Sequence, residues 1–230
     1  MEFKTIIEPF KIKSVESLPI TTEKERQEYL AREHWNVFGL KSQEVTIDLL
    51  TDSGTGSMSS EQWAAIMRGD ESYAGSHSWQ RFHEVVSDLT GYKHIIPTHQ
   101  GRASEKILAT ISVKEGDIIP SNSHFDTTRA NFEFAQSNPI DLLCEEGLDL
   151  LSPAAFKGNV HLEKLEELLQ GPDSDKIPFV LMTITNNTGG GQPVSMDNLK
   201  KVKALCTKYN KMFLLDACRF AENAWFVSQR

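Results

Sequence analysis

The stretch LLDACRFAENAWFVSQR carries an aliphatic run into Asp216 and places Arg219 three positions later. A carboxylate at the end of a buried strand loses its water, and an unpaired buried ion costs on the order of several kcal/mol. Two partners relieve that cost: Arg219 itself, or the protonated ring nitrogen of a bound cofactor. Other residues have types suited to a flat, anionic ligand. Gln100-Gly101-Arg102 sets a glycine and a cation at a helix start, where backbone N–H groups and the positive helix end receive an anion. The same three residues also read as a tight turn carrying a surface arginine. Phe125 follows a short aliphatic run and can stack on a ring or fill a core. Asn187 offers an amide just before the glycine run 189–191.

Several competing patterns lack what their chemistry needs. TDSGTGSMS (51–59) is rich in glycine and serine but has no Gly-Lys-Ser of a nucleotide-binding loop. His77, His83, His94 and His99 do not pair on one face as metal ligands would. Asn186-Asn187-Thr188 is formally a glycosylation sequon, without meaning in a cytosolic chain. Cys218 reads as a small packed residue rather than a nucleophile.

Residues so far apart need a scaffold that brings them together. Each candidate follows a short apolar run: HIIP (94–97), DIIPS (117–121), FVLMTI (179–184) and MFLLDA (212–217) are expected as strands. Amphipathic stretches alternate with them. SHSWQRFHEVVSDLTG aligns Trp79, Phe82, Val85, Val86 and Leu89, with Gly91 as a stop. A helix opening near Gln100 aligns Ile107, Leu108 and Ile111. Between Asn159 and Gly171, Leu162, Leu165, Leu168 and Leu169 recur at helical spacing. A helix capped by Ser195 aligns Leu199, Val202, Cys206 and Tyr209. This alternation predicts an α/β domain with a doubly wound, mostly parallel sheet, whose ligands sit beyond the carboxyl ends of its strands. Residues 1–44, with a charged helix over 21–34 and Thr22 as its N-cap, read as an N-terminal arm, and 45–230 as the domain.

Composition narrows the function classes. A net charge of -8 argues against a nucleic-acid surface. Three cysteines without a CxxC pair favour reduced thiols and a cytoplasmic setting. The N-terminal MEFKTIIEPFKIK has no apolar core of signal-peptide length, and no apolar run is long enough to cross a membrane.

The motifs IDLLTDSGTGSMS, RGDESYAGS, PTHQGR, FDTTR, NNTGGGQPVSM and DACRFAENAWF follow one another along nearly the whole chain. Together they resemble the tryptophanase and tyrosine phenol-lyase family of β-eliminating lyases, and the tryptophanase branch in particular. The resemblance implies the large domain of an aspartate-aminotransferase-type fold, pyridoxal 5′-phosphate as cofactor, a monovalent cation such as K+, an amino-acid substrate and a homotetramer. It implies that Gln100, Gly101 and Arg102 hold the cofactor's phosphate and that Phe125 stacks on its ring. Asn187 and Arg219 would face the ring's oxygen side, and Asp216 the ring nitrogen. Thr51 would lie on the substrate side. Tyr73 would reach across a subunit interface to protonate the leaving group, and Gly54 and Glu71 would ligate the cation. The family's intact reaction takes L-tryptophan to indole, pyruvate and ammonia.

Some features depart from that family or choose within it. The lysine that holds the cofactor covalently would follow Arg230, and Lys200, Lys201 and Lys203 read as a solvated helix face. The chain is therefore expected to be an N-terminal portion cut mid-sheet, with apolar strand surface uncovered. A non-catalytic remnant or partner-binding chain is the competing class. Gly189 stands where the family has alanine, which would loosen the loop carrying Asn187. Asp126 and Arg68 match tryptophanase, whereas tyrosine phenol-lyase has threonine and methionine there; tyrosine and cysteine remain alternative substrates.

Overall fold

The computed structural model describes residues 17–48, 58–70 and 75–230. The chain forms two compact units, Met1–Lys93 and His94–Arg230.

The first unit is helical in its described residues. Helix α1 (Glu23–Arg32) starts at a capping box in which Thr22 and Glu25 satisfy each other's backbone amides. Arg32 clamps Glu44 with two hydrogen bonds of 3.0 and 2.8 Å. Helix α2 (Ser60–Arg68) has a second capping box, Ser59 with Gln62. Helix α3 (His77–Thr90) is capped by Ser76 and ends at Gly91, whose φ of 73° is the left-handed conformation a glycine stop supplies. Asp70 reinforces the start of α3, accepting the amides of His77 and Ser78 at 2.9 Å each. Those bonds and the Ser78 hydroxyl bring the Asp70 carboxyl down to about 2.

The second unit is the α/β domain. Its four parallel strands are β1 (Ile118–Ser121), β2 (Asn138–Asp141), β3 (Phe179–Thr183) and β4 (Met212–Asp216), in the order β2-β1-β3-β4. Helix α4 (Gly101–Ser112) leads into β1, and the crossovers run through α5 (Asp126–Phe134), the short α6 (Glu145–Leu148), α7 (Leu162–Gln170) and α8 (Met196–Lys208). Helix α9 (Phe220–Gln229) follows β4. Strand β3 is buried throughout, as expected of a parallel strand covered on both faces. Its side chains alternate between two cores. Val180 and Met182 pack with Leu165, Leu169, Val194, Val202 and Cys206 under α7 and α8. Phe179 and Leu181 pack with Ala109, Ile119 and Phe132 under α4 and α5. The sheet is doubly wound, as the alternation of patterns predicts.

Two strand expectations need correction. HIIP is not a strand: residues 94–97 form no ladder and Ile96 is 82 % exposed. The run is only four residues long and ends in Pro97, which has no N–H to donate, so its apolar character alone does not recruit a partner. Conversely β2 carries Pro139, which obscures it in the sequence; it lies at the sheet's edge, where a missing donor is tolerated. Gln100 thus follows an irregular segment rather than a strand end.

The inner pair β1 and β3 is joined by one backbone register pair, Ser121 with Leu181. A side chain extends it. The Asn122 amide accepts from Thr183 N at 3.0 Å and donates to Thr183 O at 2.9 Å, so it acts as one more rung of the ladder. It also donates to Gly158 O at 2.8 Å, all within the buried interior.

Candidate active site

Three strands deliver their carboxyl ends to one region. From β1 the chain runs through His124 and Phe125 into α5. From β3 it enters the loop 184–192, and from β4 it passes Asp216 to Arg219 and α9. Backbone bonds fasten these ends together: Ile184 N donates to Asp216 O at 2.9 Å, and Arg219 N to Ile184 O at 3.0 Å. The Thr188 hydroxyl donates to His124 O at 2.8 Å and ties the Asn187 loop to the Phe125 segment.

Asp216 is half-buried, and its carboxyl is pushed above the usual range. Burial is the main cause, and the negative charge of Glu105 adds to it. The Cys218 amide and the Arg219 charge oppose the rise without cancelling it. Such a carboxyl gains most from a cation brought close by a ligand. Phe125 is half-buried at the N-cap of α5, and Asp126 is exposed in the first turn, where it accepts the Thr127 amide.

The loop after β3 is built to be held. Asn186 exchanges backbone bonds with Gln192, and its side chain accepts Gly189 N at 3.0 Å. Gly190 and Gly191 have φ of 83° and 75°, which only glycine adopts without strain. Gly189 does not. A Cβ there would lie 3.4 Å from Asn186 Oδ1, an ordinary contact, so an alanine fits at 189 and the glycine is not required by geometry. Behind the loop, Gly158 allows no side chain: a Cβ would fall 2.4 Å from Gln192 O and 2.9 Å from Pro193 O.

At α4 the N-cap Gln100 is extended and makes no side-chain capping bond, so the first amides of the helix have no side-chain cap from it. A Cβ on Gly101 would meet nothing within 4 Å, which leaves open space before the helix start. One turn further along, Glu105 accepts the Thr127 and Thr128 hydroxyls at 2.7 and 2.9 Å. Through Glu105 the start of α4, the start of α5 and the end of β4 share one neighbourhood.

His124 is the buried residue behind Phe125, with a side chain 0 % exposed. Its backbone N and Nδ1 both meet Asp141 Oδ1, at 2.9 and 2.7 Å, and Arg129 holds the other Asp141 oxygen at 2.7 Å. Burial works to raise the Asp141 carboxyl, but the His124 hydrogen bonds and the His124 and Arg129 charges bring it below its ordinary value. Four buried polar atoms at the ends of β1 and β3 have no hydrogen-bond partner among the described residues: His124 Nε2, Thr183 Oγ1, Thr185 Oγ1 and Asn186 Nδ2. Buried donors and acceptors left open in this way call for a partner outside the protein, an ordered water or a polar ligand.

Phe125, Asn187, Asp216 and Arg219 are thus brought together by the strand ends, with Gln100, Gly101 and Arg102 linked to them through α4. Thr51, Gly54, Glu71 and Tyr73 lie outside the described residues. Among the described residues no cluster of three or more His, Cys, Asp or Glu could hold a metal ion. His124, Asp141 and Glu105 escape notice in the sequence because their partners are distant along the chain. Only the helical spacing from Gly101 to Glu105 marks the last of them.

A parallel sheet wrapped on both faces, with an aspartate at a strand's end and a helix start beside it, has the architecture of the large domain of the aspartate-aminotransferase-type fold. The alanine aminotransferase of Pyrococcus furiosus shares this fold, with a TM-score of 0.50 at 14% identity over 66% of this chain and 38% of that one. The sequence places the chain more narrowly. Residues 48–230 match the β-eliminating lyase family model, and the chain belongs to that family. It is 54% identical to a tryptophanase of Salinibacter ruber over 98% of this chain and 48% of that protein. It is 55% identical to a tryptophanase of Rhodobacter capsulatus over 99% and 50%. A tyrosine phenol-lyase of Pasteurella multocida is 46% identical over 97% and 49%. The chain spans about half the length of these relatives.

Proposed function

We propose that this chain carries the cofactor-binding part of a pyridoxal phosphate-dependent β-eliminating lyase of the tryptophanase type, which releases indole, pyruvate and ammonia from L-tryptophan. The observation that supports it best is Asp216: a half-buried carboxyl with a raised proton affinity at the carboxyl end of β4, beside three other strand and helix ends that offer polar groups. When bound, the cofactor supplies an electron-withdrawing ring that takes up the electron pair freed at the substrate's α-carbon. Asp216 keeps the ring nitrogen protonated and so sustains that withdrawal. Gln100, Gly101 and Arg102 hold the phosphate with the uncapped first turn of α4. Phe125 stacks on the ring, and Asn187 and Arg219 hold its oxygen side. Asp126, exposed beside Phe125, receives the indole N–H or its surroundings and favours tryptophan over tyrosine. Thr51 and Tyr73 complete the substrate side, Tyr73 giving a proton to the leaving group, and Gly54 and Glu71 ligate a monovalent cation such as K+. A cytoplasmic homotetramer belongs to the same proposal, and the resemblance to relatives named tryptophanase supports the choice of tryptophan as substrate.

The test joins this chain to the remaining segment of the Salinibacter ruber protein and assays L-tryptophan against L-tyrosine. Indole release should exceed phenol release, Asp216→Asn should abolish both, and Asp126→Thr should shift the ratio towards phenol. Faster phenol release from the unmutated chimera overturns the tryptophan assignment, and full activity of Asp216→Asn overturns the site.

A further inference from the structure

Glu105 stands one helical turn beyond Gly101 on α4, and none of the assignments above uses it. Its carboxylate is shared between two hydroxyls of α5, Thr127 at Oε2 and Thr128 at Oε1. Thr128 is buried and Glu105 half-buried, so these bonds are partly shielded from water. The same charge acts on Asp216 across the site. One side chain therefore joins α4 to α5, and its charge also reaches the end of β4.

We propose that Glu105 is a positioning residue for pyridoxal phosphate: it fastens the phosphate-holding start of α4 to the Phe125-bearing start of α5. The proposal rests on the functional reading of this site. The physical need for such a tie is specific. The one fully buried residue of α4, Ala109, lies two turns away from Gly101, whereas nearer the helix start the side-chain bonds to α5 run through Glu105. Without Glu105 the helix start could rock relative to Phe125, and a ligand gripped at both phosphate and ring would feel the error. Hydroxyl-to-carboxylate bonds are short and charge-assisted, which suits them to hold a helix start in place. The second role is electrostatic. The negative charge of Glu105 acts on Asp216, and it would favour a cationic ring nitrogen held beside that carboxyl.

A purely structural staple would hold α5 to α4 and leave the ligand's protonation untouched, which separates the two readings. The probe is pyridoxamine 5′-phosphate, which has the phosphate and ring but no aldehyde and so needs no lysine. Its binding to the 230-residue chain is followed by fluorescence across a pH series, together with amide exchange at the start of α5 without ligand. Glu105→Ala should speed exchange at Thr127 and Thr128 and weaken binding at least about tenfold, the equivalent of roughly 1.4 kcal/mol. Glu105→Gln, which can still bond both hydroxyls, should keep the exchange protection. It should nevertheless lower the pH at which the bound ring nitrogen loses its proton, read from the ring's absorbance. Unchanged affinity in Glu105→Ala, or an unchanged ring titration in Glu105→Gln, overturns the proposal while the site stands. A wild-type chain that binds no pyridoxamine phosphate overturns the reading of the site itself, and the proposal with it.

Discussion

Replacing Asn122 by alanine should be among the most damaging single changes in the α/β unit. Its amide satisfies Thr183 N, Thr183 O and Gly158 O at 2.8–3.0 Å, and Asn122 is 0 % exposed. Alanine removes these three bonds, together with one that the amide oxygen accepts from the Ser121 hydroxyl at 3.2 Å, and leaves two carbonyls and one N–H buried without these partners. Each orphaned group costs about 1–3 kcal/mol, and because the three share one cavity a total on the order of 4 kcal/mol is expected. That is a large part of the 5–15 kcal/mol that typically holds a domain together. Urea denaturation followed by far-ultraviolet circular dichroism measures it. With a slope of about 2 kcal/mol per molar, the midpoint should fall by roughly 2 M at unchanged slope. Asn122→Asp keeps the acceptor for Thr183 N but loses both donors, and should also be destabilised. A loss below about 1 kcal/mol for Asn122→Ala would show that the β1–β3 pair does not depend on its side-chain rung.

Leu165→Ala empties a site that is 0 % exposed beneath α7 and should cost about 2–5 kcal/mol in the same assay. Gly189→Ala should be tolerated and stabilise by about 0.4–1 kcal/mol, because its φ is ordinary and its Cβ has room; Gly190→Ala, at φ 83°, should destabilise instead. Asp216 should show a trade of stability against binding. Its proton affinity is higher folded than unfolded, so it favours the fold at acid pH, and that contribution is lost as pH rises through the folded value. Asp216→Asn should therefore raise the melting temperature at neutral pH while it abolishes ligand binding. Asp70 has the opposite sign. Its carboxyl lies at about 2 in the fold, so its support for the start of α3 is complete above the unfolded value and fades as pH falls towards about 2. Amide exchange at His77 and Ser78 should report the loss, and Asp70→Asn should remove the pH dependence.

Much of the fold is legible in the sequence where local signals suffice. Strands β3 and β4 are apolar runs long enough to stand out, and the cap residues Thr22, Ser195 and Gly91 mark helix ends where the structure has them. Strand β2 is hidden by Pro139, and the start of α5 is hidden because its N-cap is Phe125, which has no capping side chain. HIIP misleads because apolar character does not reveal whether a partner strand is near. The site divides in the same way. Asp216, Phe125 and Asn187 follow from the rule that ligands gather at strand ends. Asn122, His124 with Asp141, and Glu105 act through partners 17 to 61 residues away along the chain, and no local pattern announces a contact of that kind.

The loop behind Asn187 has an asymmetric stiffness. On its rear side Gly158 sits so close to Gln192 and Pro193 that not even a methyl group can enter. The Gly158 amide is bonded to Pro193 O at 3.0 Å, so there is no slack to close and none to open. On its front side Gly190 and Gly191 face open space, with no atom closer than 3.8 Å to a Cβ added at either. Mechanically this is a hinge against a back-stop. The tolerance for change is therefore one-sided: bulk added behind the loop has nowhere to go, whereas in front of it the paired glycines have room and are constrained only by their left-handed φ.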